Sequence, residues 1–320
     1  MKHTKTFLSA AAFFLLLECA CAAASASNTP PRKLSWAPPK LENPATINAT
    51  DSNRILKLDQ SKDYIIELPK DQPLRGGLSI WGGRNAVLIG GEILISADDP
   101  RGALSYIRAV YLQEHAGTMH FEGVLIRGEN PGDLQEGFNL NLRQTNCVVQ
   151  IQNVRVEKVH GTRDAHHADI LQTWAGPAEL RIDGLTGFTQ YQGMFLLPNQ
   201  HFPLEKGGFL PKKWIFKNIN IEGAEGSGYM LWAPPSEQQW PMEIENVWVK
   251  PHESKQGRRD SFLWPKPDQE SDRFWEDVKA GVPPGGDFVP AGTAGLNYIS
   301  PGYADAAGEQ VVKQNSTRNH

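Results

Sequence analysis

The sequence predicts an all-β fold, a single-stranded parallel β-helix, from three observations. Six segments share a Gly or Asn flanked by alternating apolar residues, at positions 91, 123, 153, 184, 218 and 246, spaced by 28 to 34 residues. A nearly constant period of this length is typical of a solenoid. Alternation with a period of two indicates β-strands on both sides of each Gly or Asn. Helical patterns of about 10 to 15 residues do not separate the copies, which argues against a βαβ fold.

Each Gly or Asn is expected to form a corner, because these two residues adopt left-handed backbone angles most readily. A second strand recurs in five coils, at Ala109–Leu112, Gly137–Leu140, Ala168–Leu171, Gly193–Leu196 and Gly228–Leu231. Two or three strands in a turn of about 30 residues match the dimensions of a parallel β-helix. An antiparallel β-sandwich is the alternative fold, but it does not explain the repeat.

Two stretches carry a resemblance to known proteins. The stretch Trp81–Gly91 (WGGRNAVLIGG) is similar to a first full coil of known β-helices, and residues 166–184 (HHADILQTWAGPAELRIDG) are similar to segments of exported β-helix proteins. Over residues 45–255 the chain resembles the right-handed parallel β-helices of the pectate-lyase-like superfamily. The resemblance is architectural, and it implies a right-handed solenoid that is exported and acts on a polysaccharide.

The first residues predict export. Residues 1–26 have the pattern of a signal peptide, with Lys2 and Lys5 before an apolar run and a small-residue cleavage site that ends at Ala26. Cleavage there predicts a secreted or periplasmic protein. The alternative is a membrane anchor, but the run Phe7–Leu17 is shorter than the ~20 residues that span a bilayer, and no later segment is long enough.

The remaining chain divides into three parts. Residues 27–45 form a Pro-rich segment, residues 46–255 the β-helix domain, and residues 256–320 a C-terminal capping helix and tail. Short capping segments are expected at both ends, because an exposed terminal coil offers unpaired backbone groups to other chains. Ser271 is a suitable N-cap for a helix over Asp272–Ala280.

Composition limits the partners. The net charge is −4 and the chain has no basic run, so it lacks the electrostatic footprint of a nucleic-acid-binding protein. Cys147 is the only cysteine left after cleavage, which excludes an intramolecular disulfide. We therefore expect a monomer without a membrane span, stabilised by its apolar core, whose partner is a polysaccharide.

The densest group of polar side chains lies in residues 160–172, where a second strand begins. Alternation along this strand places His167 and Asp169 on the outer side, if Ala168 is aligned with Gly193 of the next coil. The outside of a β-helix has a groove that suits a linear polymer. Titratable groups at this density favour an enzyme over the competing class, a non-catalytic glycan-binding β-helix.

Cleavage of a uronate polymer by β-elimination fits these residues. The reaction needs a cation for the carboxylate, a base for the proton at C5 and an acid for the leaving oxygen at C4. Arg163 or Arg143 could pair with the carboxylate. His166 or His167 could be the base, because imidazole titrates near neutral pH, and Tyr191 the acid. The same groups without departure of the leaving oxygen would act as a C5-epimerase.

Three roles are open for Asp164 and Asp169. They could orient the histidines, hold a Ca²⁺ ion in place of the arginine, or act as the two carboxyl groups of a glycoside hydrolase. The run from Asp164 to His167 is similar to the Asp-Pro-His-Asp motif of β-helix mannuronan epimerases, and this resemblance implies His166 as the base. Ala165 and His167 depart from that motif. No metal ligands are assigned.

Side chains around the cluster are expected to bind the substrate, since neighbouring coils stack about 4.8 Å apart. These substrate-binding residues are Arg143, Asn141, Gln172, Gln192, Trp174 and Trp232. The two tryptophans could stack on sugar rings. Alternation places Gln172 on the inner side of its strand, where it could instead belong to an internal amide ladder.

Overall fold

A computed structural model describes residues 33–99, 108–164, 166–234, 239–255, 258–266 and 275–303. The predicted signal peptide and most of the C-terminal tail lie outside these ranges. The strands are β1 Ala45–Asn48, β2 Ile55–Leu58, β3 Tyr64–Glu67, β4 Leu74–Arg75, β5 Leu78–Gly82, β6 Ala86–Ile89, β7 Glu92–Ile95, β8 Arg108–Gln113, β9 Thr118–Glu122, β10 Leu125–Gly128, β11 Glu136–Asn141, β12 Val148–Val159, β13 Asp169–Ala175, β14 Glu179–Thr189, β15 Gln192–Leu196, β16 Lys213–Gly223, β17 Leu231–Trp232, β18 Met242–Lys250, β19 Leu263–Trp264 and β20 Lys279–Ala280. Short 3₁₀ turns lie at Leu204–Lys206, Glu253–Lys255 and Arg259–Ser261.

The strands form two sheets in which neighbours along the solenoid axis pair in parallel. The long sheet has the order β1-β3-β6-β9-β12-β14-β16-β18-β20, with β4, β7 and β10 beside it, and the short sheet has the order β2-β5-β8-β11-β13-β15-β17-β19. The chain is thus a right-handed parallel β-helix of about six turns, as the sequence predicts. No helix in the described part of the chain is long and apolar enough to cross a membrane.

The predicted corners are confirmed. Left-handed backbone angles occur at all six repeat positions, with φ between 50° and 90°, namely Gly91, Gly123, Asn153, Gly184, Asn218 and Asn246. The asparagines also connect the coils, because Asn246 Nδ2 donates to Asn218 Oδ1 at 2.9 Å and Asn218 Nδ2 donates to Asp183 Oδ1 at 2.6 Å. In the long strands β12, β14, β16 and β18 these residues bend the sheet without interrupting the strand.

Apolar side chains from both sheets fill the interior. The rings of Phe121 in β9 and Phe138 in β11 meet edge to face, with centroids 5.3 Å apart. Cys147 is buried as a free thiol, and Leu171 and Thr173 of β13 point into the same core and are fully buried. Stability therefore comes from stacked apolar layers, with no disulfide among the described residues.

The alignment of β13 with the next coil differs from the sequence prediction. Asp169 pairs with Gln192 and Leu171 with Met194, so Ala168 is not the partner of Gly193. The alternation of β13 is also irregular, because Ile170 and Leu171 both contribute to the core: a Cβ on Gly187 of β14 would lie 2.5 Å from Ile170 Cδ1.

The same irregularity corrects the side of Gln172. This residue lies between the inward-facing Leu171 and Thr173, and therefore on the outer face of the short sheet. Asp169 lies on the outer face, as expected.

The predicted helix over Asp272–Ala280 is wrong for its described part, residues 275–280. Lys279 and Ala280 form β20, which pairs in parallel with Trp248 and Val249 of β18. Pairing satisfies the backbone groups that β18 would otherwise leave open at the end of the sheet. Trp275, whose apolar character suggested a helix face, is instead buried over the last coil.

An N-terminal segment, residues 33–36, is fixed to the outside of the long sheet. The backbone N–H and the hydroxyl of Ser35 donate to Asp183 Oδ2 at 3.1 and 2.7 Å. Trp36 exchanges two hydrogen bonds with Gln152, at 3.1 and 2.7 Å. This segment therefore covers one row of polar side chains.

A C-terminal segment, residues 287–303, covers the adjacent row. Tyr303 forms a parallel bridge with Leu34, and its hydroxyl lies 3.0 Å from His120 Nε2. The hydroxyl of Tyr298 donates to Glu122 Oε1 at 2.7 Å. His120 and Glu122 point away from the core, yet they are fully buried because the two terminal segments lie over them.

Tyr298→Phe is expected to destabilise the protein by about 2 kcal/mol, because it removes a hydrogen bond to a buried carboxylate. Urea denaturation would measure the loss, and limited proteolysis should show earlier cleavage within residues 287–303. The partly buried Tyr229 forms no side-chain hydrogen bond to the described residues, so Tyr229→Phe is the control. Equal stability of the two variants would contradict a role for Tyr298 in fixing this segment.

Candidate functional site

A row of four polar residues crosses the outer face of the short sheet. Arg108 in β8, Glu136 in β11, Asp169 in β13 and Gln192 in β15 are partners in consecutive strands. We call these four residues the polar row. Glu136, Asp169 and Gln192 are each at most 5% exposed, which is an unusual environment for carboxyl groups.

Glu136 is the centre of the polar row. Its Oε1 is hydrogen-bonded to His166 Nε2, and its Oε2 lies 3.2 Å from Arg108 Nε. His166 is about one-third exposed and so reaches the surface. The carboxylate therefore orients an imidazole on the outer face of the short sheet, as in other sites where a carboxylate fixes the tautomer of a histidine.

Asp169 has an environment different from that of Glu136. Burial, with a contribution from the charge of Glu136, raises the pKa of Asp169 well above its ordinary value. Both oxygens of Asp169, together with Glu136 Oε2 and Gln192 Oε1, lack a hydrogen-bond partner among the described residues. Buried polar atoms without partners are rare in folded proteins, and each needs an explanation.

The turn before β13 places the other predicted groups beside this row. Arg163, Asp164 and His167 are exposed there. The Nε2 atom of His167 lies 3.1 Å from the carbonyl oxygen of Arg163, and its ring centroid is 5.2 Å from that of Tyr191.

The phenol of Tyr191 lies among the charged groups of this turn. Burial raises the pKa of Tyr191, as do the charges of Asp169 and Asp164, while Arg163 acts in the opposite direction. The phenol therefore remains protonated at neutral pH. Tyr191 thus lies beside His167 and near Asp169, at the same end of β13 as His166.

Aromatic residues continue the outer face towards the C-terminal coils. Gln172 shares a register row with Asn139 and Phe195, and its Oε1 accepts a hydrogen bond from Asn139 Nδ2 at 3.2 Å. Phe195 and Trp232 stack with centroids 4.7 Å apart, and Trp264 follows Trp232 in the same row. This arrangement provides half-exposed rings along the solenoid axis.

Trp174 lies in a second cluster, two residues beyond Gln172 in β13 and on the same side of the polar row. The guanidinium of Arg108 is 4.5 Å from its ring centroid, and the rings of Tyr111 and His201 are 6.1 and 4.2 Å away. Asn141 Nδ2 donates to the Tyr111 hydroxyl at 3.4 Å. Part of the Trp174 surface is thus already occupied by protein.

Two guanidinium groups, of Arg108 and Arg143, lie near this cluster. Burial lowers the pKa of His201, and the charges of Arg108 and Arg143 lower it further. Arg143 is exposed, lies 3.2 Å from Glu114 Oε1 and covers the ring of Phe202 at 5.6 Å. Each guanidinium is already paired with a carboxylate, Arg108 with Glu136 and Arg143 with Glu114, so an anionic group bound here would compete with these ion pairs.

Sequence reasoning missed Arg108, Glu136 and His201. A signal for the first two exists, because each second strand has a polar residue two positions before a buried apolar one, as in Glu136–Phe138 and Asp169–Leu171. Aligning the coils on the inward residues rather than on the glycines would have placed Arg108, Glu136, Asp169 and Gln192 in one row. His201 lies in a long turn and leaves no such pattern.

The residues present do not fit the Ca²⁺ ion suggested for Asp164 and Asp169. A ligand carboxyl has to be ionised, whereas burial favours the protonated form of Asp169. No group of three or more His, Cys, Asp or Glu side chains within the described ranges could hold a metal ion. We therefore derive no step through a metal.

Comparisons with family models, with curated proteins and with solved structures find no match for this chain. The function therefore has to be argued from the geometry and chemistry of the groove.

Proposed function

We propose that the protein is an exported enzyme that acts on a uronate-containing polysaccharide, by β-elimination or by C5 epimerisation. The observation that supports this most directly is the His166–Glu136 contact at the edge of a polar row that is buried without full hydrogen bonding. Acid–base groups arranged in this way on a groove are typical of an active site rather than of a binding surface.

His166 is the base in this proposal. Glu136 accepts a hydrogen bond from Nε2–H, so the proton of the neutral imidazole is on Nε2 and Nδ1 carries a lone pair. Nδ1 makes no hydrogen bond to the described residues. When Nδ1 takes the C5 proton, the resulting imidazolium is stabilised by the Glu136 carboxylate.

Tyr191 is the acid. In elimination, the electrons of the C5–H bond form the C4–C5 double bond, the C4–O bond breaks, and the phenol donates its proton to the departing oxygen. In epimerisation, the C4–O bond stays and a proton returns to C5 from the opposite face. Arg163, whose charge acts on Tyr191, is placed to neutralise the uronate carboxylate at the reacting unit.

The remaining predicted residues fit binding. Arg143 lies beside Trp174 and His201, where a second carboxylate of the polymer would meet positive charge. Trp232 and Phe195 offer stacked rings for units on the C-terminal side. A surface with both features beside the polar row suits an extended polymer chain.

A glycoside hydrolase is the second candidate, and one observation favours it. Glu136 and Asp169 are neighbouring carboxyl groups, and burial favours the protonated form of Asp169, as for the acid of a glycosidase. Asp164 is exposed in the turn, so Glu136 replaces it as the partner of Asp169 in this mechanism.

Incubation with polygalacturonate, alginate and a neutral glucan would test the proposal. Elimination is expected to raise the absorbance of unsaturated uronate and the reducing ends together on an acidic polymer. Epimerisation would change the uronate stereochemistry by NMR without either signal. New reducing ends without the chromophore would overturn the proposal and support the hydrolase. Binding of a polymer without any product would support a glycan-binding protein.

A further inference from the structure

Two carboxyl groups share the buried part of the site. Glu136 and Asp169 are register partners in adjacent parallel strands, which are about 4.8 Å apart. They are 3% and 1% exposed. Two ionised carboxylates at such a separation repel each other strongly away from water.

The hydrogen-bond inventory shows the same conflict. Asp169 Oδ1 and Asp169 Oδ2 are buried acceptors that lack donors among the described residues, and Glu136 Oε2 lies 3.2 Å from Arg108 Nε without a well-directed hydrogen bond. An ionised carboxylate without donors is costly to bury. One proton on Asp169 removes the repulsion and also supplies a donor for Glu136 Oε2.

We propose that Asp169 is a neutral carboxylic acid that donates a hydrogen bond to Glu136 Oε2, so that Asp169, Glu136 and His166 form a relay that fixes the tautomer of the imidazole. In this relay Asp169 donates a hydrogen bond to Glu136, and Glu136 accepts a hydrogen bond from Nε2–H of His166. Asp169 does not touch the substrate, so it is a positioning residue.

The charged groups around the relay are consistent with this assignment. Arg108 lies 3.2 Å from Glu136 Oε2 and balances the single negative charge of Glu136. On the outer side, the charges of Asp164 and Arg163 act near Tyr191 and have opposite signs. A second buried negative charge on Asp169 would have no cation of its own within the described residues.

The relay has a chemical consequence, which rests on the proposed function. With its proton on Nε2, the neutral imidazole has Nδ1 free to accept the C5 proton. A hydrogen bond from Asp169 makes Glu136 a weaker base, so Glu136 does not take the Nε2 proton of the imidazolium that then forms. Asp169 keeps its own proton throughout, so the relay moves no net charge.

Infrared spectroscopy of the free protein tests the protonation of Asp169 directly. At neutral pH the wild type is expected to show the C=O stretch of a protonated carboxyl group, and Asp169→Asn is expected to lose it. Asp164→Asn, which changes an exposed carboxylate, should leave the band in place. Absence of the band, or its persistence in Asp169→Asn, would overturn the proposal.

¹⁵N NMR of His166 tests the relay. The wild type and Asp169→Asn, which still supplies an N–H donor, are expected to show the Nε2–H tautomer. Asp169→Leu removes the donor to Glu136 and leaves its carboxylate a stronger acceptor, so the Nε2–H···Glu136 hydrogen bond should strengthen and the Nε2–H proton resonance should move downfield, whereas Glu136→Gln should shift the imidazole towards the Nδ1–H form. Unchanged imidazole resonances in either variant would contradict the relay, whether or not the variants fold less stably, because a purely structural role leaves these resonances unchanged. Both measurements need no substrate, so failure of the polysaccharide assay would leave their outcome standing.

Discussion

His166→Ala is expected to lower kcat on the acidic polysaccharide by about 10²–10⁴-fold, the usual contribution of a general base. The structure supports this choice of base by a specific contact, since Glu136 holds Nε2 of His166 and Nδ1 forms no hydrogen bond to the described residues. KM should change little, because the imidazole acts on the proton in the transition state and not on the bound substrate. Exogenous imidazole should restore part of the rate.

His167→Ala is the matched comparison, because the two histidines are adjacent and only one contacts a carboxylate. Its loss should be no more than about tenfold, a difference of about 1.4 kcal/mol in the barrier. His252, near a 3₁₀ turn and bonded to Ser254, lies outside the site, so His252→Ala should keep the wild-type rate. A larger loss for His167→Ala than for His166→Ala would contradict our assignment and make His167 the base.

The coil corners were predictable from the sequence because each is a local event. A Gly or Asn between two short alternating strands has few conformations that keep both apolar faces inward, and the left-handed one is open to these two residue types. The corners at Asn153 and Gly184 could therefore be predicted without knowing which residues lie beside them in the fold. The regular spacing of such corners then predicted the solenoid.

The site was only partly predictable because it depends on register between coils. His166 and Asp169 stood out as a local cluster, but Glu136 lies 30 residues before His166 and joins it only through strand pairing. A two-residue error in aligning Ala168 with Gly193 was enough to hide the partner of Asp169. Gln172 was expected on the wrong face because Ile170 and Leu171 both face the core and break the alternation. Register sets which side chains meet, and sequence alternation alone does not fix it when a strand begins with two inward residues.

The prediction of a C-terminal helix was wrong for a related reason. Ser271, Trp275 and Val278 satisfy the local rules for a capped amphipathic helix. The open edge of β18 offers backbone partners that an isolated segment lacks, and β20 takes them. The conformation of Lys279 and Ala280 is therefore determined by pairing with β18 and not by their local helix preference.

Asn218→Ala is expected to destabilise the protein by about 3 kcal/mol, the largest effect on stability among the variants considered. Asn218 has φ of 50°, a conformation that costs alanine roughly 1–2 kcal/mol. The substitution also removes the buried hydrogen bonds to Asp183 and from Asn246, each of which contributes about 1 kcal/mol. Urea denaturation followed by tryptophan fluorescence and by circular dichroism would measure the loss, and coincident curves would justify a two-state treatment.

Asn218→Gly separates the two contributions, because glycine keeps the left-handed backbone and loses only the side-chain hydrogen bonds. We expect it to cost about 2 kcal/mol, less than Asn218→Ala. Asn43, exposed at φ of 46° and outside the asparagine ladder, is the matched site for the backbone term alone. The difference in the free energy of unfolding between the Ala and Gly variants should be similar at positions 43 and 218, since both residues have a left-handed backbone conformation. If Asn218→Gly were as stable as the wild type, the ladder would contribute nothing, and the asparagines would serve only to turn the chain.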